Sequence, residues 1–420
     1  LSKRKDEREF TELLADERIV EKDLKVQRKV SDEDLNLLYV RGEIRIVTES
    51  ARYSLAGILN MLKETIEGEP RYKLDPEYQR RHRWTNQRKS RLIESFLMNV
   101  PVPPVFLYER ELARFEVMDG RQRLTALSEF YSNAFALEGL QYWSDLDGRY
   151  YRNLPKKIRD GIDRRYISSI ILLKETASDE AQATMLKKMV FERLNSGGVK
   201  LAPQETRNAV YDGPLNKLCL KLSENTHFKS MWGIPSQPVE IDVEDECEME
   251  ADEADESTKI GRTMFEKMED VELILRFFAY RQINTSKAGL NKITDYLDNF
   301  LLQGNSFPDT VLIAYSNLFN TSIEFLWNAL GLQAFTLLGH SRRPTKIIYD
   351  PIMHVASTPK VQAAYEVLIR NRLVLISELT DTYLRYKDLF SGRRTNYSDT
   401  LSRNDRLREA FERAISKSSK

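Results

Sequence analysis

Histidine and cysteine are scarce, with four and two residues in a chain of 420. Cys219 and Cys247 stand in no metal-ligand spacing, and so few thiols suit a reducing compartment, so the cytoplasm is the expected location. Long apolar runs are missing as well. No stretch approaches the roughly 18 apolar residues that suggest a membrane helix, and the longest pieces, such as Val100 to Tyr108, read as buried strands. There is no Gly-rich loop ending in Gly-Lys-Ser/Thr and no Ser/His/Asp grouping, which weakens ordinary P-loop ATPase and serine hydrolase readings. The opening Leu1 to Asp6 leads into alternating charges and is not expected to act as a secretory signal; the missing initiating Met suggests a trimmed or renumbered start.

Net charge is also lacking, since 64 Lys and Arg balance 64 Asp and Glu, which argues against coating nucleic acid by bulk electrostatics. The balance is not local. Between Arg71 and Arg91 eight basic residues face only Asp75 and Glu77, and between Arg149 and Lys174 eight face only Asp160 and Asp163. Each stretch carries enough positive charge to hold phosphates where the side chains converge. The opposite pole is Glu240 to Glu256, where eleven of seventeen residues are acidic and a surface loop is expected.

With 41% hydrophobic and 30% charged residues, the chain reads as a globular protein of two or three domains. Residues 1–45 are charged, with Phe10, Leu13, Leu14, Ile19, Val20 and Leu24 at near-helical spacing, as in an appended helical arm. Residues 46–215 alternate β-rich runs (Ile44 to Val47 at the border, Val105 to Tyr108, Arg114 to Met118, Tyr166 to Leu173) with helices. Thr85 is the expected cap of a helix over 86–99, whose Leu92, Ile93, Phe96 and Leu97 form one apolar face. A second helix follows Ser178, with Met185, Lys188, Met189, Phe191 and Leu194, before the turn at Asn195 to Gly198. Residues 216–420 are expected to be mostly helical, with apolar periodicity over Met264 to Tyr280, Leu290 to Leu302, Thr310 to Leu330, Val361 to Leu379 and Arg403 to Ile415. The fold class is therefore α+β, an α/β unit followed by a helical domain.

The most informative segment runs from Phe115 to Leu127: a β-rich run ends at Asp119-Gly120 and passes into a helix carrying Leu124, Leu127 and Phe130 on one face. Such a junction points backbone N–H groups at the positive end of a helix dipole, and Gly120 lets an anion approach the backbone. Arg121 and Arg123 add charged donors, Asp119 suits a divalent cation or a water, and Gln122 suits water or phosphate. The plain alternative is that Asp119 only caps the helix and both arginines are solvated.

Further residues accompany this junction. Gln79-Arg80 precede Trp84, Val100 to Pro104 end a helix, and Asp119-Gly120-Arg121-Gln122-Arg123-Leu124-Thr125 follows a strand pair. A later block reads Phe191 to Leu201, with Glu205, Arg207 and Asn208 after it. In this order the motifs resemble the N-terminal domain of GmrSD-type restriction endonucleases, related to the ParB/sulfiredoxin fold. The resemblance covers about Ser54 to Leu218 and departs from the family pattern at Arg121, where Gln is usual.

The resemblance implies a ParB/sulfiredoxin-like domain that binds or hydrolyses a nucleoside triphosphate in a restriction or anti-phage system, on or with DNA. Asp119, Gln122 and Arg123 would be catalytic, with Asp119 also the ligand of Mg²⁺. Gln79, Arg80, Gly120, Arg121, Arg193 and Asn195 would hold nucleotide or phosphate, and Arg81, Arg83 and Arg88 would meet DNA. DNA is the expected partner, together with a separate nuclease or defence protein; a homo-oligomer is open and no membrane is involved. Many relatives carry an HNH-type nuclease, but His82, His227, His340 and His354 are too scattered for one, so no second nuclease domain is expected. Two rivals stand beside this reading: a non-catalytic DNA-binding module that recruits a nuclease, and a metal-dependent DNA nickase.

Overall fold

The computed structural model describes residues 13–14, 16–19, 47–74, 84–174, 180–195, 202–235, 256–282, 293–341, 343–391 and 397–418. They fall into two compact units, one holding the described residues from 47 to 195, the other 13–19 and those from 202 onward. Among the described residues no helix is long and apolar enough to cross a membrane.

The first unit is built on a five-stranded mixed sheet in the order β1-β7-β5-β6-β4. Strand β1 (Thr48–Ser54) leads through a helical turn into α1 (Ile58–Lys63), and a small hairpin, β2 (Thr65–Ile66) with β3 (Glu69–Pro70), precedes β4 (Tyr72–Lys73). Helix α2 (Asn86–Leu97) starts where the sequence places its cap: the Thr85 hydroxyl accepts the Arg88 N–H at 3.3 Å. The Pro-rich stretch after it lacks the donors and dihedrals of helix, and the chain enters β5 (Val105–Glu111). A tight turn with Ala113 at positive φ returns it as β6 (Arg114–Asp119), antiparallel to β5.

Helix α3 (Arg121–Tyr131) follows β6 directly, then α4 (Lys156–Asp163) and β7 (Tyr166–Leu172). β7 pairs antiparallel with β1 and parallel with β5, which makes β5 the centre of the sheet. Strand alternation sorts the side chains of β5 and β6. Val105, Leu107, Phe115 and Val117 join a core with Ile93, Phe96, Leu124, Leu127 and Phe130. On the alternate residues Glu116 and Tyr108 meet α5 (Glu180–Asn195), where the Lys187 ammonium lies 2.8 Å from Glu116 and 5.5 Å from the Tyr108 ring.

Two expectations shift here. Of the strand expected over Ile44 to Val47, residues 44–46 lie outside the described ones and Val47 is not in a strand; β1 starts at Thr48. In α5 Phe191 of the expected apolar set is buried, but so are Leu186 and Lys187, whereas Met185 is largely exposed.

The second unit is helical in its described residues: α6 (Pro203–Val210), α7 (Pro214–Ser223), α8 (Thr226–Trp232), α9 (Glu256–Glu266) and α10 (Glu269–Tyr280) come first. The run expected over Met264 to Tyr280 is split, because Met268 adopts a left-handed conformation between α9 and α10. After α11 (Ile293–Gly304) and α12 (Asp309–Leu330) comes a helix that periodicity did not suggest, α13 (Lys346–Ala356), with Pro351 inside it. The run expected over Val361 to Leu379 is three pieces, α14 (Pro359–Gln362), α15 (Tyr365–Arg370) and α16 (Arg372–Arg385), followed by α17 (Lys387–Phe390) and α18 (Tyr397–Ser418).

Several buried charges in this unit are paired, as desolvation favours. Arg207 on α6 binds Asp298 at 2.7 Å and Glu272 at 2.9 Å, and Arg276 binds Asp350. The cations of α18 staple it to α16, since Arg413 and Lys417 both reach Glu378. Of the expected arm over 1–45, Leu13, Leu14 and Asp16 to Ile19 are described and are not helical. The acidic stretch lies outside the described residues up to its last residue, Glu256.

Candidate functional site

Gly120 sits where β6 becomes α3, with φ near 90°, a region that favours glycine. Space enforces the same choice. A Cβ there would come within 2.5 Å of Val105 Cγ1 and 2.9 Å of an Arg123 guanidinium nitrogen. Glycine is thus needed both for the turn and for the contact between the helix start and β5.

Gly120, with no side chain to cap the helix, occupies the cap position, so the capping alternative for Asp119 does not hold. Asp119 instead closes a clamp across the turn: Arg123 donates one N–H to its Oδ2 at 2.7 Å and shares that nitrogen with the Pro104 carbonyl at 3.3 Å. Asp119 is half exposed, and the Arg123 side chain only 15% so. The buried Nε of Arg123 has no hydrogen-bond partner among the described residues. Arg121 and Gln122 are half-buried in the same turn, and Gln122 Oε1 faces the Trp84 backbone N–H at 3.4 Å.

Trp84 is half-buried against the core and carries the exposed Arg88 guanidinium 4.9 Å from its ring centre, a cation–π pair. The structure therefore brings Asp119, Gly120, Gln122 and Arg123 together, with Trp84 and Arg88 adjoining. Arg193 is exposed near the end of α5, and Asn195 closes that helix with a side chain outside the described residues. Gln79, Arg80, Arg81 and Arg83 also lie outside them.

Glu116 and Lys187 were not singled out by sequence reasoning. Their buried pair fixes α5 to β6 three residues before Asp119, and an acidic residue between the apolar Phe115 and Val117 was the available signal. In the second basic stretch, one of the two acids is held by neighbouring phenols. Asp163 accepts the hydroxyls of Tyr131 at 3.1 Å and Tyr151 at 2.9 Å. Burial first, then the Asp163 charge, pushes the Tyr131 phenol well up; burial and the Asp163 hydrogen bond raise Tyr151 to about 12.

A Gly-hinged strand-to-helix junction with an Asp–Arg clamp thus follows a Trp-led helix and a Pro-rich link. Residues 58–211 match the GmrSD restriction endonuclease N-terminal domain. The similarity is to that domain and covers about a third of the chain. The GmrSD match associates the domain with DNA restriction. No curated protein and no solved structure matches the chain.

Proposed function

We propose that the GmrSD-type domain binds and hydrolyses a nucleoside triphosphate as part of a DNA restriction or anti-phage system. The observation that carries this reading is the Asp119–Gly120–Arg123 junction, where a glycine-tight turn, a helix N-terminus and an Arg123 Nε without an acceptor among the described residues converge. A buried N–H left without a partner costs about 1–3 kcal/mol, and a phosphate oxygen would satisfy it. Arg121 and Arg123 would hold phosphates, with Gln79 and Arg80 joining from the segment before Trp84, and with Arg193 and Asn195 at the rim. Gln122 would orient the attacking water.

Among the described residues no three His, Cys, Asp or Glu are grouped as a cation cage. Mg²⁺ fits such a site as a partly hydrated ion held by one carboxylate, Asp119, and by the nucleotide's own phosphate oxygens. It would supply charge neutralisation for the transferred phosphoryl group. The exposed Arg88, with Arg81 and Arg83 near it in sequence, is assigned to the DNA backbone.

The rival reading, a DNA-binding module that leaves cutting to a separate nuclease, is favoured by the basic stretch from Arg149 to Lys174, where eight basic residues face two acidic ones. Phosphate release and DNA binding measured together separate the two. Mg²⁺-dependent release of phosphate supports hydrolysis; salt-steep DNA binding indifferent to nucleotide and metal supports the module instead.

A further inference from the structure

Three successive backbone N–H groups, of Gln141, Tyr142 and Trp143, converge on one buried carboxylate. Glu94 on α2 is 3% exposed, and its oxygens accept them at 3.2, 2.7 and 2.9 Å. The loop is held at other points too: Ser90 Oγ accepts the Glu138 N–H at 3.0 Å, and Asp147 accepts that of Leu140 at 3.2 Å. Leu137, Leu140 and Leu146 anchor it from below in the core. A segment fixed so firmly would be expected to bury its largest side chains. It does the opposite, leaving Tyr142 69% and Trp143 39% exposed.

We propose that Tyr142 and Trp143 form a base-stacking tip that meets an unpaired base of a DNA strand. Fixing the backbone beforehand removes the ordering cost that a mobile loop would pay on binding, which suits rings whose purpose is contact. Aromatic faces accept any base by stacking. The flanks supply the matching charge. Arg88 and Arg91 are exposed on α2, and Arg91 lies one turn before Glu94, on the side of the helix that holds the loop. After the loop in sequence, Arg149, whose carbonyl accepts the Leu137 N–H, and Arg152 are exposed. Glu138 and Asp145 are exposed beside the tip and disfavour a phosphate there. The rings are thus left to the base while the flanking arginines take the backbone.

The inference rests on the reading that this domain engages DNA, and the test separates the two. The full chain is titrated onto a single-stranded oligonucleotide and a fully paired duplex of the same sequence, with 2-aminopurine as stacking reporter in the single strand. The wild type should quench the reporter. Tyr142→Ala/Trp143→Ala should abolish the quenching and weaken single-strand binding about 5- to 100-fold, with duplex binding changed less than about 2-fold. Trp143→Phe, which keeps an aromatic face, should retain most of both signals. Unchanged quenching and affinity in the double variant would overturn the tip while leaving DNA engagement intact; so would equal loss on single strand and duplex. Absence of any DNA binding by the wild type would overturn the DNA reading and the tip with it.

Discussion

Arg123 reaches back across Gly120 to hold the Asp119 carboxylate at 2.7 Å, so the charge at the end of β6 is positioned by the first turn of the helix that follows it. Its role is geometric more than energetic. With Asp119 half exposed, solvent screens the pair, and its net contribution to stability is on the order of 1 kcal/mol.

That division gives the first prediction. Arg123→Ala should shift the unfolding midpoint by no more than a few degrees, while nucleotide turnover falls at least about 10-fold as Asp119 loses its tether. Calorimetry beside a phosphate-release assay checks both halves; a large drop in stability with normal turnover by the folded fraction would contradict the role.

Gly120→Ala should behave differently, because the left-handed backbone and the Val105 contact both penalise a Cβ. A cost of about 2–4 kcal/mol is expected from strain and overpacking, read as a lower urea midpoint with an unchanged slope.

The Lys187–Glu116 pair, with side chains 10% and 18% exposed, should be costly to break from one side. Lys187→Met leaves Glu116 charged and poorly solvated, for about 2–3 kcal/mol, and the double variant Lys187→Met/Glu116→Gln should recover much of the loss. A double-mutant cycle in urea measures the coupling.

His354 gives a pH prediction for the helical unit. Burial first, then the Arg408 and Arg281 charges, pulls its imidazole down from about 6.5 to about 3, and neither ring nitrogen has a hydrogen-bond partner among the described residues. The unfolded chain therefore binds a proton below pH 6.5 that the folded chain refuses until about pH 3. Stability present above pH 6.5 is lost as the pH falls through that window, by about 2 kcal/mol at pH 5. Urea unfolding at pH 7.5 and 5.0 should show this excess loss in the wild type and not in His354→Met.

The junction was readable because its parts are local: a β-rich run, Asp-Gly, and a helix with one apolar face impose their structure within a dozen residues. Thr85 and α2 were legible for the same reason. What escaped depends on distant partners. Strand β1 is polar and mostly exposed, so only its pairing with β7 makes it a strand. Helix α13 hides behind Pro351, yet Ile348, Tyr349, Ile352 and Met353 are all buried and hold it helical. Glu94 sits among the apolar residues of α2, and nothing local tells that three N–H groups wait for it some 50 residues on. The Asp119 to Arg123 contact follows from helical spacing once Gly120 is placed at the cap.

The most direct test of the account is phosphate release from each of the four ribonucleoside triphosphates with Mg²⁺, with and without DNA, for the wild type beside Asp119→Ala. Circular dichroism and an unfolding curve confirm that the half-exposed substitution leaves the fold intact. The account predicts turnover of at least one nucleotide by the wild type and its loss in Asp119→Ala. Full turnover by folded Asp119→Ala, or none by the wild type under any condition, would contradict it.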